Sequence, residues 1–262
     1  IFIFLYAPIV VLIVFSFNNS KNRAVWHGFT TKWYSDLFHN DLILDSLKLT
    51  LLVAFLAAII ATVIGTAAAV GMYGMNAKLR KTLMAVNNIP MVNPEIVTGI
   101  SMMLMFVFLF RATGLLKLGF GTLLLAHITF CIPYVVLQVM PKLRQMNKHM
   151  YEAALDLGCH PLSAFFKVVL PEIMPGVVTG ALMAFTMSLD DFVISLFNSG
   201  STAQTLSVTI YSMTKKRVSP EINALSAIMF LVILAIILTS NAMDSRAYKR
   251  NQKAIRRAAA EQ

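Results

Sequence analysis

Three acidic residues lie inside strongly apolar stretches of this 262-residue chain, where an ionisable group is costly and usually functional. Glu95 occurs in NNIPMVNPEIVTG, and Asp190 and Asp191 are adjacent in FTMSLDDFVISLF. Neighbouring carboxylates repel each other unless one is protonated or a cation approaches. Because these stretches contain no Lys or Arg to pair with the acids, an incoming cation is the natural partner.

Aromatic residues in the same stretches, among them Phe197, could add cation–π contacts. A compound with amines separated by methylenes would use carboxylates and apolar walls alike. We therefore define a candidate cation path from five residues: Glu95, Tyr134, Asp190, Asp191 and Phe192. The alternative is that the acids hydrogen-bond to helix backbone or to a partner subunit, and the sequence leaves both interpretations open.

A second candidate site is the charged, proline-containing segment YEAALDLGCHPLSAFFKVVLPEIMPG, residues 151 to 176. Its composition predicts a short helix over Tyr151–Leu157, and Gly158 suits the left-handed position after a helix end. Pro161 is typical of a helix start, and the second helix is predicted to end at Pro171. Pro175 would mark the beginning of the next apolar span. The pattern predicts a helix–turn–helix on the membrane face.

The elements that position these residues are predicted to be membrane-spanning helices. The chain is 58% apolar and 13% charged, with a mean hydropathy of +0.72. A soluble domain carries about 25% charged residues. Several continuous apolar windows reach the roughly 20 residues that a spanning helix needs. The fold class is therefore all-α, polytopic, with six spans: Ile1–Phe17, Leu47–Met75, Leu83–Phe110, Gly119–Met140, Ile173–Phe197 and Ile222–Met243.

Proline and loop charge refine this topology. Pro90 and Pro94 are expected to break the third span, freeing carbonyl groups near Glu95. The first span is short and begins with Ile1, so we expect further residues upstream. Lys and Arg crowd alternate loops and the tail, which places segment 151–171 and both termini in the cytoplasm. With the net charge of +10, the tail indicates attraction to anionic lipid rather than nucleic acid.

Other chemistry finds little support in the sequence. Cys131 lies in a span and Cys159 in a loop, so a disulfide is not expected. The five histidines lack metal-ligand spacing, and His127 is predicted to be a hydrogen-bonded packing residue. The phosphate-binding pattern G-x₄-G-K-[ST] is absent, so ATP would have to be bound by another chain. We expect no catalytic residue, metal or cofactor.

Segment 151–171 resembles the EAA loop of permeases in ATP-binding-cassette importers. The family pattern E-A-A-x₃-G-x₉-I-x-L-P is matched by Glu152, Ala153, Ala154, Gly158, Leu170 and Pro171, with Val168 in place of its isoleucine. The resemblance implies a type I importer permease fold over residues 45–241. Residues 1–44 then form the first span with an outer loop, and residues 242–262 form a basic tail. It also implies that the EAA loop docks on a separate ATPase.

Further stretches look like the permeases of bacterial spermidine/putrescine importers: SFNNS, WHGFTTKWY, AHITFCIPYVV, MSLDDFVISLF and IYSMTKKRVSPEINALS. That resemblance implies the cytoplasmic membrane, a second homologous permease, an ATPase dimer and an extracytoplasmic polyamine-binding protein. The alternatives are an importer permease for another solute, an intramembrane enzyme and a secondary transporter. An enzyme would need a nucleophile and base inside the spans, for which Ser188 near Asp190 is the nearest candidate. A secondary transporter would show internal repeats.

Overall fold

The chain is almost wholly helical in the computed structural model, which describes residues 2–20, 25–216, 222–228, 230–232 and 234–235. Among these residues, β-type pairing is limited to an isolated antiparallel bridge between Asn18 and Phe29. The predicted all-α class is confirmed. The basic tail, residues 242–262, and the last part of the predicted sixth span lie outside the described residues.

The helices follow one another with short connections. In chain order they are α1 (Phe2–Phe15), α2 (Lys32–Phe38), α3 (Asp41–Tyr73), α4 (Ala77–Val92), α5 (Glu95–Thr113), α6 (Phe120–Gln145), α7 (Lys148–Asp156), α8 (Pro161–Ala164), α9 (Leu170–Asp190), α10 (Val193–Asn198) and α11 (Leu206–Lys216). A π-helical turn, Phe165–Val169, joins α8 to α9.

Four stretches of the described chain are long and apolar enough to cross a membrane: Asp41–Tyr73, Glu95–Thr113, Phe120–Gln145 and Pro161–Asp190. They overlap the predicted second, third, fourth and fifth spans. The predicted first and sixth spans correspond to the shorter apolar helices Tyr6–Phe15 and Ile222–Val232. The described residues therefore support four of the six predicted spans by length and composition.

The region predicted as the third span contains parts of two helices, α4 and α5, which are joined by Asn93 and Pro94. The expected break at Pro90 is wrong, because Pro90 lies inside α4. The break falls at Pro94, whose ring disfavours the helical conformation in the residue before it. Asn93 is accordingly extended, with φ −74° and ψ 136°. Glu95 becomes the first residue of α5.

The prediction that Pro171 ends a helix is also wrong, since α8, the π-helical turn and α9 form one uninterrupted helix over Pro161–Asp190. Inside the π-helical turn the Leu170 N–H donates to the Phe165 carbonyl, five residues earlier. This wider hydrogen-bond register lies just before Pro171, which has no N–H to donate, so the helix continues through the proline. Pro175 lies inside α9 rather than at the start of a span.

Contacts divide the chain into two compact units, one from Ile1–Leu44 and Ser212–Gln262 and the other from Asp45–Tyr211. In the first unit, Asn18 organises the chain after α1. The Trp33 indole N–H donates to the Asn18 carbonyl at 2.7 Å, and the His27 backbone N–H donates to Asn18 Oδ1 at 2.9 Å.

The second unit has its core between α6 and α9. Val135, Val139 and Ile173 are fully buried there. Small residues let the two backbones approach: a Cβ added at Gly176 would lie 2.8 Å from the Gln138 carbonyl oxygen. Such close approach through glycine is typical of membrane helix packing. This helix pair fixes the position of the C-terminal end of α9.

Candidate functional site

The EAA loop contains a tightly hydrogen-bonded turn after α7. Gly158 has φ +83°, which confirms the predicted left-handed conformation. The Gly158 N–H donates to the Leu155 carbonyl at 2.9 Å, and the Cys159 N–H donates to the Ala154 carbonyl at 3.1 Å. Together these bonds form a Schellman motif, which satisfies carbonyl groups left open at the helix end. The turn therefore fixes the direction in which the chain leaves α7.

The EAA residues of α7 face different surroundings. Ala154 is buried, whereas Ala153 and Glu152 are exposed. The Glu152 carboxylate lies 3.1 Å from His149 Nδ1, also at the surface. At the other end of the pattern, Leu170 is half-buried and Pro171 exposed. The loop thus presents an acidic and a small residue outward while Ala154 anchors it.

Exposed apolar side chains surround this turn. Leu157 is 86% exposed, and Leu162, Phe166 and Met150 are also exposed. Beside them is a cavity of about 330 Å³, lined by apolar residues of α3, α6, α7 and the π-helical turn together with Glu152. An exposed apolar surface of this kind is suited to contact with another protein or with lipid.

The two adjacent acids differ in their exposure and in their contacts. Asp190 is the last residue of α9 and is exposed, whereas Asp191 is 8% exposed. The Ile194 N–H donates to Asp191 Oδ1 at 3.2 Å, and the Ser195 N–H donates to Asp191 Oδ2 at 2.7 Å. Asp191 therefore caps the first turn of α10, as the alternative interpretation required.

A buried polar group, which we call the His127 cluster, consists of His127, Ser188, Asp191 and Ser195. His127 Nδ1 lies 2.6 Å from Ser188 Oγ, while His127 Nε2 lies 3.0 Å from Ser195 Oγ and 3.5 Å from Asp191 Oδ2. This arrangement confirms His127 as a hydrogen-bonded packing residue. The partners of His127 were not predicted, although Ser188, Asp191 and Ser195 have the i, i+3, i+7 spacing of one helix face.

Of the remaining residues of the candidate path, Glu95 and Phe192 lie at helix ends and Tyr134 lies in the middle of α6. Glu95 is exposed in the first turn of α5, where the helix dipole favours an anion. Its carboxyl group is close enough to the half-buried Tyr134 hydroxyl for electrostatic interaction. Phe192 packs against Tyr211 with ring centroids 4.9 Å apart. The structure thus brings Glu95 near Tyr134 and sets Asp190 beside Phe192 in the chain.

Metal binding has no geometric support in the part of the chain that the structure describes. No group of three or more His, Cys, Asp or Glu side chains there could hold an ion. The His127 cluster supplies one imidazole and one carboxylate, with serine hydroxyls as the other partners. The contacts of this cluster join helices to one another and do not form a metal site.

A family model described as "Binding-protein-dependent transport system inner membrane component" matches residues 61–253. The putrescine transport system permease protein PotI of Escherichia coli K12 is 39% identical over 98% of this chain and 92% of its own length. The spermidine/putrescine transport system permease protein PotC of the same organism is 41% identical over 92% of this chain and 89% of its own length.

Solved structures of ABC transporters share the fold. A chain of a transporter that imports the acidic polysaccharide alginate aligns with a TM-score of 0.73 and 17% identity, covering 93% of this chain and 90% of its own. A chain of the MetNI methionine transporter aligns with a TM-score of 0.63 and 22% identity, covering 79% and 95%. With the family match over most of its length, this chain belongs to the family of binding-protein-dependent transport system inner membrane components.

Proposed function

We propose that this chain is a permease subunit of an ATP-driven importer that moves polyamines into the bacterial cytoplasm. It would act with a second permease, an ATPase dimer and an extracytoplasmic polyamine-binding protein, with both of its termini in the cytoplasm. The substrate class is supported by the two relatives, whose names specify putrescine and spermidine/putrescine and which align over more than nine-tenths of this chain. The solved transporters support the fold alone.

The observation that carries the importer assignment is the geometry of the EAA loop. Its Schellman turn holds α7 and α8 in a defined arrangement, with Gly158 in a conformation that other residues rarely adopt. Glu152 and Ala153 point outward beside exposed apolar side chains such as Leu157. We assign this surface to contact with the ATPase, because small and apolar groups allow close packing and Glu152 can pair with a basic residue.

A single helix then links the EAA loop to the candidate path. Pro161–Asp190 contains 30 residues, which at 1.5 Å each span about 45 Å. The N-terminal end of this helix follows the turn at Gly158, and its C-terminal end is Asp190. Because a packed helix moves as a rigid element, displacement of the loop by the ATPase would also displace Asp190.

We limit the proposed path to those candidate residues that are not fully buried in this chain. Asp190 and Glu95 are exposed carboxylates at helix ends, and Tyr134 and Phe192 are half-buried aromatic residues. Carboxylates and aromatic faces together suit amines separated by methylenes. We propose these four residues as substrate contacts and assign Asp191 a positioning role through its bonds to α10.

The proposed function is tested by expressing the chain with its partner subunits in a bacterial strain that lacks polyamine importers. We expect uptake of labelled putrescine or spermidine, and copurification of the ATPase with tagged permease. Copurification without uptake of either compound would overturn the substrate class alone. Failure of the ATPase to copurify with well-expressed, membrane-inserted permease would overturn the importer assignment.

A further inference from the structure

The His127 cluster connects both sides of the break between α9 and α10. Ser188 belongs to the last turn of α9 and Ser195 to the first turn of α10, while His127 belongs to α6. One imidazole ring therefore contacts hydroxyl groups on either side of the break, at 2.6 and 3.0 Å. Three helices meet in a single set of side-chain hydrogen bonds.

Asp191 completes the connection within the break itself. Its backbone is extended, with φ −63° and ψ 131°, so the α-helical hydrogen bonding of α9 does not continue into α10. The Asp191 carboxylate instead accepts the N–H groups of Ile194 and Ser195 and faces His127 Nε2 at 3.5 Å. Buried polar groups need such partners, and here His127 is 1% exposed.

We propose that the His127 cluster is a latch that holds the α9–α10 break in one geometry and so positions Asp190 and Phe192 for the transported cation. Asp190 and Phe192 flank Asp191 directly in the chain, so the latch sets where their backbones lie. The inference rests on the proposed function, which assigns these two residues to the path. His127 is a positioning residue in this account and does not touch the substrate.

The competing explanation is that His127 only fills space. Three variants distinguish this explanation from the latch. His127→Leu keeps a similar volume but removes every polar contact, whereas His127→Gln retains an amide that can reach Ser195 or Asp191. Ser46→Ala removes the buried 2.7 Å hydrogen bond to Thr209 in the same unit and serves as the control. The variants are compared in vesicles that contain the whole transporter.

The first measurement is the number of polyamine molecules taken up per ATP hydrolysed. We expect His127→Leu to lower this ratio roughly tenfold, the combined effect of losing the two hydrogen bonds to Ser188 and Ser195. His127→Gln should restore part of it, and Ser46→Ala should leave it unchanged. A general loss of folded protein would lower uptake and ATP hydrolysis in proportion. An unchanged ratio in His127→Leu overturns the latch.

The second measurement does not depend on the substrate. Ile194 is fully buried and its N–H donates to Asp191, so Ile194→Cys in a Cys131→Ala, Cys159→Ser background should resist a charged methanethiosulfonate reagent. Adding His127→Leu should make the introduced thiol react at least roughly tenfold faster, since a buried hydrogen-bonded connection is lost. Equal, slow labelling with and without His127→Leu overturns the latch even if the transporter carries another solute.

Discussion

Replacement of Gly158 by valine tests the turn of the EAA loop without introducing a clash. Gly158 has φ +83°, and a Cβ added there would have no heavy atom within 4 Å. The cost of Gly158→Val is therefore confined to the backbone, about 1–3 kcal/mol for a non-glycine residue in a strained left-handed region. Since 1.4 kcal/mol is a factor of ten, the ratio of loops with the native turn to loops without it should fall by roughly 5- to 150-fold.

We expect ATPase copurification and polyamine uptake to fall together in Gly158→Val, with membrane insertion intact. Gly158→Asn is the matched control, because asparagine adopts the left-handed conformation more readily than other non-glycine residues. It should retain most of the copurified ATPase. If both variants bind the ATPase and transport as well as wild type, the turn does not set the docking geometry, and the assignment of this loop fails.

Four further changes have distinct expected results. Asp190→Asn should reduce polyamine uptake severalfold while the thermal unfolding temperature in detergent stays at its wild-type value. Asp191→Asn should instead lower stability by about 1–3 kcal/mol, because the two N–H groups of α10 bind different carboxylate oxygens and asparagine has an NH₂ group in place of one of them; unfolding in detergent measures this. Glu152→Lys should reduce ATPase recovery in a pull-down, and unchanged recovery would count against its docking role. Gly176→Val should destabilise the protein by about 1–3 kcal/mol through overpacking against α6, whereas Gly71→Ala, with open space around its Cβ, should not.

Much of the fold was predictable because its signals are local. Long apolar windows indicated the spanning helices, and Gly158 indicated a left-handed turn from its place after a short helix. The positions of proline predicted helix breaks less well. Pro94 does break the predicted third span, but Pro171 does not interrupt its helix, because the preceding π-helical turn changes the hydrogen-bond register. Such a register change depends on contacts of the folded chain rather than on local composition.

The candidate path was harder to predict, because it depends on contacts between distant residues. Adjacent acids suggested a shared role, yet Asp190 is exposed at the end of α9 whereas the Asp191 carboxylate is buried and accepts two backbone N–H bonds of α10. His127 was predicted to be packed and hydrogen-bonded. Its partners Ser188 and Ser195 are 61 and 68 residues away, and no local pattern around His127 indicates them.

ATP-dependent polyamine accumulation in vesicles tests the central claim most directly. The purified permease pair and ATPase would be reconstituted with the binding protein, and labelled putrescine and spermidine would be measured inside the vesicles with and without ATP. We expect accumulation that requires ATP and the loaded binding protein and that is strongly reduced in Gly158→Val. A complex that hydrolyses ATP in response to its loaded binding protein but accumulates neither polyamine would contradict it.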